Sequence, residues 1–306
     1  MTDVSELQGV APLLEYAARR VGRERKPRVW PAYVLLATIF VLQYGIVFGL
    51  IIVVVVAYVI MHPGGKFEDS QQVLLKPGVL LTMQLVVSAV FMGVVLGFQW
   101  MSRFFPPKVA LVGRSRTGIW KLLVMAAGAI AIGRVFSLAT FGLEVDSPTL
   151  REIAELIMAA QADWPWLLVF CIGMFAPVGE ELVFRGFVQP RLVRRYGPWM
   201  GIGITSLAFG IFHMDVVQGI FATGLGVYLG WMRYRTGSLV GPILAHIAVN
   251  TTSVLMIYVD TTDYEMAWFM GEMVVMPALA VVGAWVLWRL PWDRAGRRKL
   301  ATNEHE

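Results

Sequence analysis

The sequence predicts an all-α, polytopic membrane protein with about eight transmembrane helices and both termini in the cytoplasm. Three observations carry this. Of 306 residues, 57% are hydrophobic and only 15% charged, against about 45–50% and about 25% in soluble domains. Mean hydropathy is +0.65. The apolar residues gather into eight runs near the roughly 20 residues a spanning helix needs, and none alternates as a barrel strand does. In lipid the backbone must satisfy its own polar groups, so the runs are expected to be helices. This composition excludes disorder. One cysteine, Cys171, excludes intrachain disulfides and thiolate-cluster metal sites. The net charge of +5 reads as an orientation signal, with the lipid bilayer and not nucleic acid as the partner.

The runs are Trp30–Met61, Gly78–Trp100, Gly118–Gly142, Trp164–Val188, Pro198–His213, Val216–Met232, Leu239–Tyr258 and Ala267–Leu290. They form one transmembrane domain, 30–290, between cytoplasmic tails at 1–29 and 291–306. The first run far exceeds the roughly 7–15 residues of a signal-peptide core, so it is expected to be retained and to tilt or project beyond the bilayer. The fifth and sixth are short. Lys and Arg divide as eight spans require: 21 of 26 fall in the tails and alternate joints, including Arg103, Arg191, Arg194, Arg195, Arg233 and Arg235. The opposite joints are acidic, with Glu144, Asp146, Asp260 and Asp263. Trp30, Trp100, Trp164, Trp199, Trp268 and Trp288 stand near run ends, as an interfacial belt would place them.

Each ionisable group within a span costs about 2.5–3.5 kcal/mol on insertion scales. Lys121 and Arg134 lie near the ends of the third run and can snorkel; Glu272 lies near the outer end of the eighth. These read as interfacial or structural charges. The fourth run differs, because it carries Pro177-Val178-Gly179-Glu180-Glu181-Leu182-Val183-Phe184-Arg185. Adjacent helical residues point about 100° apart, so the two glutamates are expected to do different jobs. Glu181 and Arg185, spaced i,i+4, can pair and neutralise each other. Glu180 is then free to face a cavity. Pro177 lacks a backbone donor and is expected to kink the helix just before the pair. Of four histidines, His62 and His305 lie outside the runs. His213 closes a run one turn after Phe209, and His246 shares a helix face with Asn250. One intramembrane histidine can be an ordinary interhelical hydrogen bond. Acid, imidazole and amide groups on three spans point to a site.

A rise of about 1.5 Å per residue sets Glu180 about 12 Å from the end of its run and His246 about 10 Å into its own. The same rise sets His213 about 22 Å beyond Pro198. The first two depths agree and the third does not.

At these residues the sequence resembles the CPBP family, the CAAX-prenyl-protease and bacteriocin-processing intramembrane peptidases, also called the ABI family. The family pattern of Glu-Glu-x-x-x-Arg, then Phe-x-x-x-His, then His-x-x-x-Asn is met in order by Glu180 to Arg185, Phe209 to His213, and His246 to Asn250. These motifs lie within residues 164–258. The resemblance implies that Glu180 and His213 activate a water, that His246 and Asn250 form an oxyanion site, and that Glu181, Arg185 and Phe209 support them. It implies an intramembrane endopeptidase acting on a peptide or a membrane protein. Compact size and short tails point to a prokaryotic cell membrane, and the site is expected to open toward the cytoplasm.

The chemistry is consistent with those roles. Hydrolysis needs a base, a positioned water and donors for the developing oxyanion; Asn250 offers two amide donors and neutral His246 one N–H. Cys171 has no histidine on its own run, which argues against a thiol protease. A catalytic zinc held by Glu180, His213 and His246 is the alternative, although it leaves only Glu181 as a base; without it no cofactor is needed. Two further readings stay open. One is a non-catalytic scaffold or immunity-type protein, and the other a transporter with a Glu/His proton relay, though no paired broken spans favour the latter.

Overall fold

The computed structural model describes residues 28–101, 117–142, 147–161, 163–256 and 266–290. Within them all eight apolar runs are helical and there is no strand. They form α1 (Trp30–Met61), α3 (Pro77–Met101), α4 (Ile119–Gly142), α6 (Pro165–Tyr196), α7 (Pro198–Ile211), α8 (Val216–Thr236), α9 (Val240–Met256) and α10 (Met266–Arg289). Two short helices stand in the joints between runs: α2 (Phe67–Leu74) and α5 (Pro148–Gln161). By length and composition, five helices can cross a membrane: α1, α3, α4, α6 and α10. The helices α7 and α9 are apolar but shorter, and α8 carries Arg233 and Arg235 in its last turn. Most of the orientation signal lies outside the described residues, in the tails and in 102–116.

Boundaries move at the ends of α6 and α8, and the shift at α6 brings Glu180 and His213 to one depth while His246 stays nearer the start of α9. The fourth span was expected to end at Val188, but α6 continues to Tyr196. The extra turns are amphipathic. Leu192 and Arg191 are buried, with the Arg191 guanidinium 3.5 Å from the centre of the Phe187 ring. Arg194 and Arg195 close the last turn, where cations complement the helix dipole. The helix stops only at Gly197, whose φ of +85° suits glycine, followed by Pro198. These charges therefore did not mark a helix end. The α6–α7 pair is a tight antiparallel hairpin. Glu180 lies 17 residues before Gly197 and His213 lies 16 after it. On one rise per residue, both stand at about 24–26 Å from the turn.

Small residues bring the site helices together, as lipid-embedded packing favours. A Cβ on Gly210 of α7 would collide with Thr223 Oγ1 and lie 2.5 Å from Gly219 O of α8. Only glycine fits this crossing. Apolar side chains of α1, α3, α6 and α7 form the cluster beneath the site, among them Leu35, Phe91, Phe184, Phe187 and Phe209. A second cluster joins α4, α8, α9 and α10. There Gly128 and Gly283 bring two backbones into contact, since a Cβ on Gly128 would lie 2.8 Å from Gly283 Cα. Arg134 and Glu272, read separately as interfacial charges, form an ion pair across α4 and α10. Lys121 is exposed at the start of α4.

Candidate active site

Helix α6 is not uniform. Two π-helical stretches, Val169–Phe175 and Leu182–Val188, bracket the α-helical turn Ala176–Glu181. π-turns are rare and collect at functional sites. Pro177, where a kink was expected, lies just after the first π stretch. The Ala176 N–H reaches back to Cys171 O, so the same register would direct the next donor to Ile172 O. Pro177 has no N–H to give. Two side chains of α9 reach this stretch: Asn250 Nδ2 donates to Ile172 O at 3.2 Å, and Thr251 Oγ1 to Gly173 O at 3.4 Å. The second π stretch is tied in a similar way, with Arg191 Nη1 donating to Phe187 O at 2.8 Å and Arg233 Nε to Arg185 O at 3.3 Å.

The adjacent glutamates divide as their spacing implied. Glu181 is fully buried and accepts from Arg185 Nη1 at 2.8 Å, with both side chains at 0% exposure. A buried charge pair must be well hydrogen-bonded to offset desolvation. This one gains further contacts: the guanidinium lies 4.4 Å from the Phe209 ring centre and 5.9 Å from that of Phe184, which favours a desolvated cation. Glu180 keeps 24% of its side chain exposed. His246 of α9 stands between the two acids, with Nδ1 2.9 Å from Glu181 Oε1 and Nε2 3.8 Å from Glu180 Oε2.

Phe209 organises the α7 side. Its ring meets His213 edge-on at 4.9 Å between centres and His246 edge-on at 5.8 Å. His213 Nδ1 lies 2.9 Å from Phe209 O. A carbonyl only accepts, so Nδ1 carries the proton and neutral His213 presents Nε2 as an acceptor. The same logic on the Glu181 carboxylate commits the His246 Nδ1–H. Glu180, Glu181, Arg185, Phe209 and His246 therefore meet directly, His213 joins through Phe209, and Asn250 is bonded to Ile172 O. Among the described residues, no three His, Cys, Asp or Glu side chains are grouped to hold a metal ion, and the Glu180, His213 and His246 set for zinc is not assembled as one. Sequence reasoning missed Thr251, and took Arg233 only as an orientation charge. Pro177 was the available signal, since a missing N–H implies an orphaned carbonyl one turn earlier.

This is a membrane-type helical protein with a buried carboxylate–imidazole–guanidinium cluster shared by α6, α7 and α9. Residues 162–252 match the family model described as Type II CAAX prenyl endopeptidase Rce1-like. That segment contains all three motifs and resembles CAAX-protease-like membrane peptidases. Over 116 residues the chain is 28% identical to the Bacillus subtilis (strain 168) protein titled "Putative membrane peptidase YdiL", covering 38% of this chain and 46% of that protein. Over 96 residues it is 32% identical to an Escherichia coli protein titled "Uncharacterized 24.3 kDa protein", covering 29% of this chain and 43% of that one. The matches thus span less than half of each curated relative. No solved structure matches the chain.

Proposed function

We propose that the protein is an integral-membrane endopeptidase that hydrolyses a peptide bond of a peptide or membrane-protein substrate with water activated at Glu180. The observation that carries this is the contrast between Glu180 and Glu181. One acid is buried and held by Arg185 and His246, while its neighbour is partly open and 3.8 Å from His246 Nε2. Glu180 takes a proton from water as the hydroxyl oxygen bonds to the substrate carbonyl carbon. The C–N bond then breaks, and the leaving nitrogen receives that proton. His213, with Nε2 as an acceptor, orients the water. With Nδ1–H given to Glu181, His246 donates from Nε2 only as the imidazolium. His246 and Asn250 then supply donors for the oxyanion.

The ligand fit does not favour zinc, and the reaction is proposed to run without a metal. The site is proposed to open toward the cytoplasm of a prokaryotic cell. The test compares membrane-protein termini in cells expressing wild-type protein or Glu180→Gln. New termini with the wild type, absent with Glu180→Gln and insensitive to chelators in purified protein, are expected. Unchanged termini in the variant would remove the catalytic assignment. Activity lost on chelation and restored by zinc would replace it with the metal version.

A further inference from the structure

We propose that Ile172 O is a subsite for a substrate backbone N–H, and that Asn250 moves from it to a substrate carbonyl when a peptide binds. The inference deepens the peptidase reading and rests on it. Ile172 O loses its π-register donor because that donor would come from Pro177. A bare carbonyl in a lipid-embedded helix costs several kcal/mol, so something must cover it. Asn250 does so at 3.2 Å, yet Asn250 is also the amide best placed, one turn from His246, to meet an oxyanion.

The two tasks are compatible if they alternate. A peptide brings both a donor and an acceptor. Its N–H covers Ile172 O as Asn250 leaves, and its carbonyl receives the released amide. One hydrogen bond is exchanged for two, and the carbonyl is never bare. Thr251 stays on Gly173 O and holds the α6–α9 contact during the exchange. Gly173 makes this approach possible, since a Cβ there would lie 2.8 Å from Thr251 Oγ1. The subsite recognises a feature every non-proline peptide unit has. It therefore provides affinity and alignment without selecting side chains.

The experiment uses full-length protein in lipid nanodiscs and a palmitoylated synthetic peptide library. Peptides the wild type cleaves are remade with single amide-to-ester replacements, each removing one N–H. Their affinities are measured on Glu180→Gln protein. One replacement is expected to weaken binding about 3–10-fold, the effect of one lost hydrogen bond. Adding Pro177→Ala, which returns a backbone N–H to this register, is expected to abolish that difference. A difference that persists with Pro177→Ala, or no sensitive position in the Glu180→Gln series, overturns the subsite and leaves the peptidase reading intact. The ester series on Glu180→Gln stands alone if Pro177→Ala does not fold. No cleavage of any library member by the wild type overturns both readings.

Discussion

Helices α1 and α6 are equally long, 32 residues each, yet 6% of the most apolar stretch of α1 is buried in the protein and 50% of that of α6. α1 buries only Ala32, Leu35 and Ile39, all near one end. The rest is Val, Ile, Leu and aromatic surface suited to lipid. α6 carries Pro177, Gly179, two glutamates and Arg185, and interrupts its α-helix twice. Equal length therefore hides opposite constraints. A helix facing lipid needs only to be apolar and regular. A helix at the centre of a membrane protein can hold charge and irregular backbone where neighbours pair its charges.

That contrast predicts where substitution is costly. The largest effect is expected for Arg185→Met, which leaves Glu181 charged and buried without its guanidinium. Breaking such a pair costs about 3–5 kcal/mol, whereas Val41→Ala on α1, at a 68% exposed position, is expected to stay within about 0.5 kcal/mol. Denaturant titration in mixed micelles measures both, and a near-neutral Arg185→Met would erase the distinction. Glycine gives the next test. Gly210→Ala drives a methyl into Thr223 and Gly219 and is expected to cost about 1–3 kcal/mol. Gly45→Ala on α1 meets nothing within 4 Å and is expected to stabilise by up to about 1 kcal/mol through helix propensity. Opposite signs in thermal unfolding would sharpen the comparison. The smallest effect concerns Met214, whose φ of +54° is left-handed in the turn after His213. Met214→Asn is expected to raise stability by less than about 1 kcal/mol, because Asn tolerates this region better, with the melting temperature as the measure.

Much of this was legible beforehand because membrane burial writes itself into composition. All eight runs became helices, and the Glu181–Arg185 pair followed from spacing on one helix. What the sequence hid was tertiary. The end of α6 was hidden because Arg191, Arg194 and Arg195 signal a membrane boundary, while only Gly197-Pro198 breaks the helix. α2 and α5 were hidden because eight and fourteen residues fall below the length of a span. Within the site, the position of His246 between two acids depends on how α9 meets α6, which no local pattern encodes. The Asn250 bond to Ile172 O depends on π-turns, which have no periodicity signature of their own.

The Arg134–Glu272 pair has a consequence for biogenesis. Its partners are 138 residues apart in sequence, so the guanidinium emerges from the ribosome long before the carboxylate that will neutralise it. Until α10 is made, α4 must keep that cation hydrated or held at the headgroups. The last described helix thus completes the charge balance of a much earlier one.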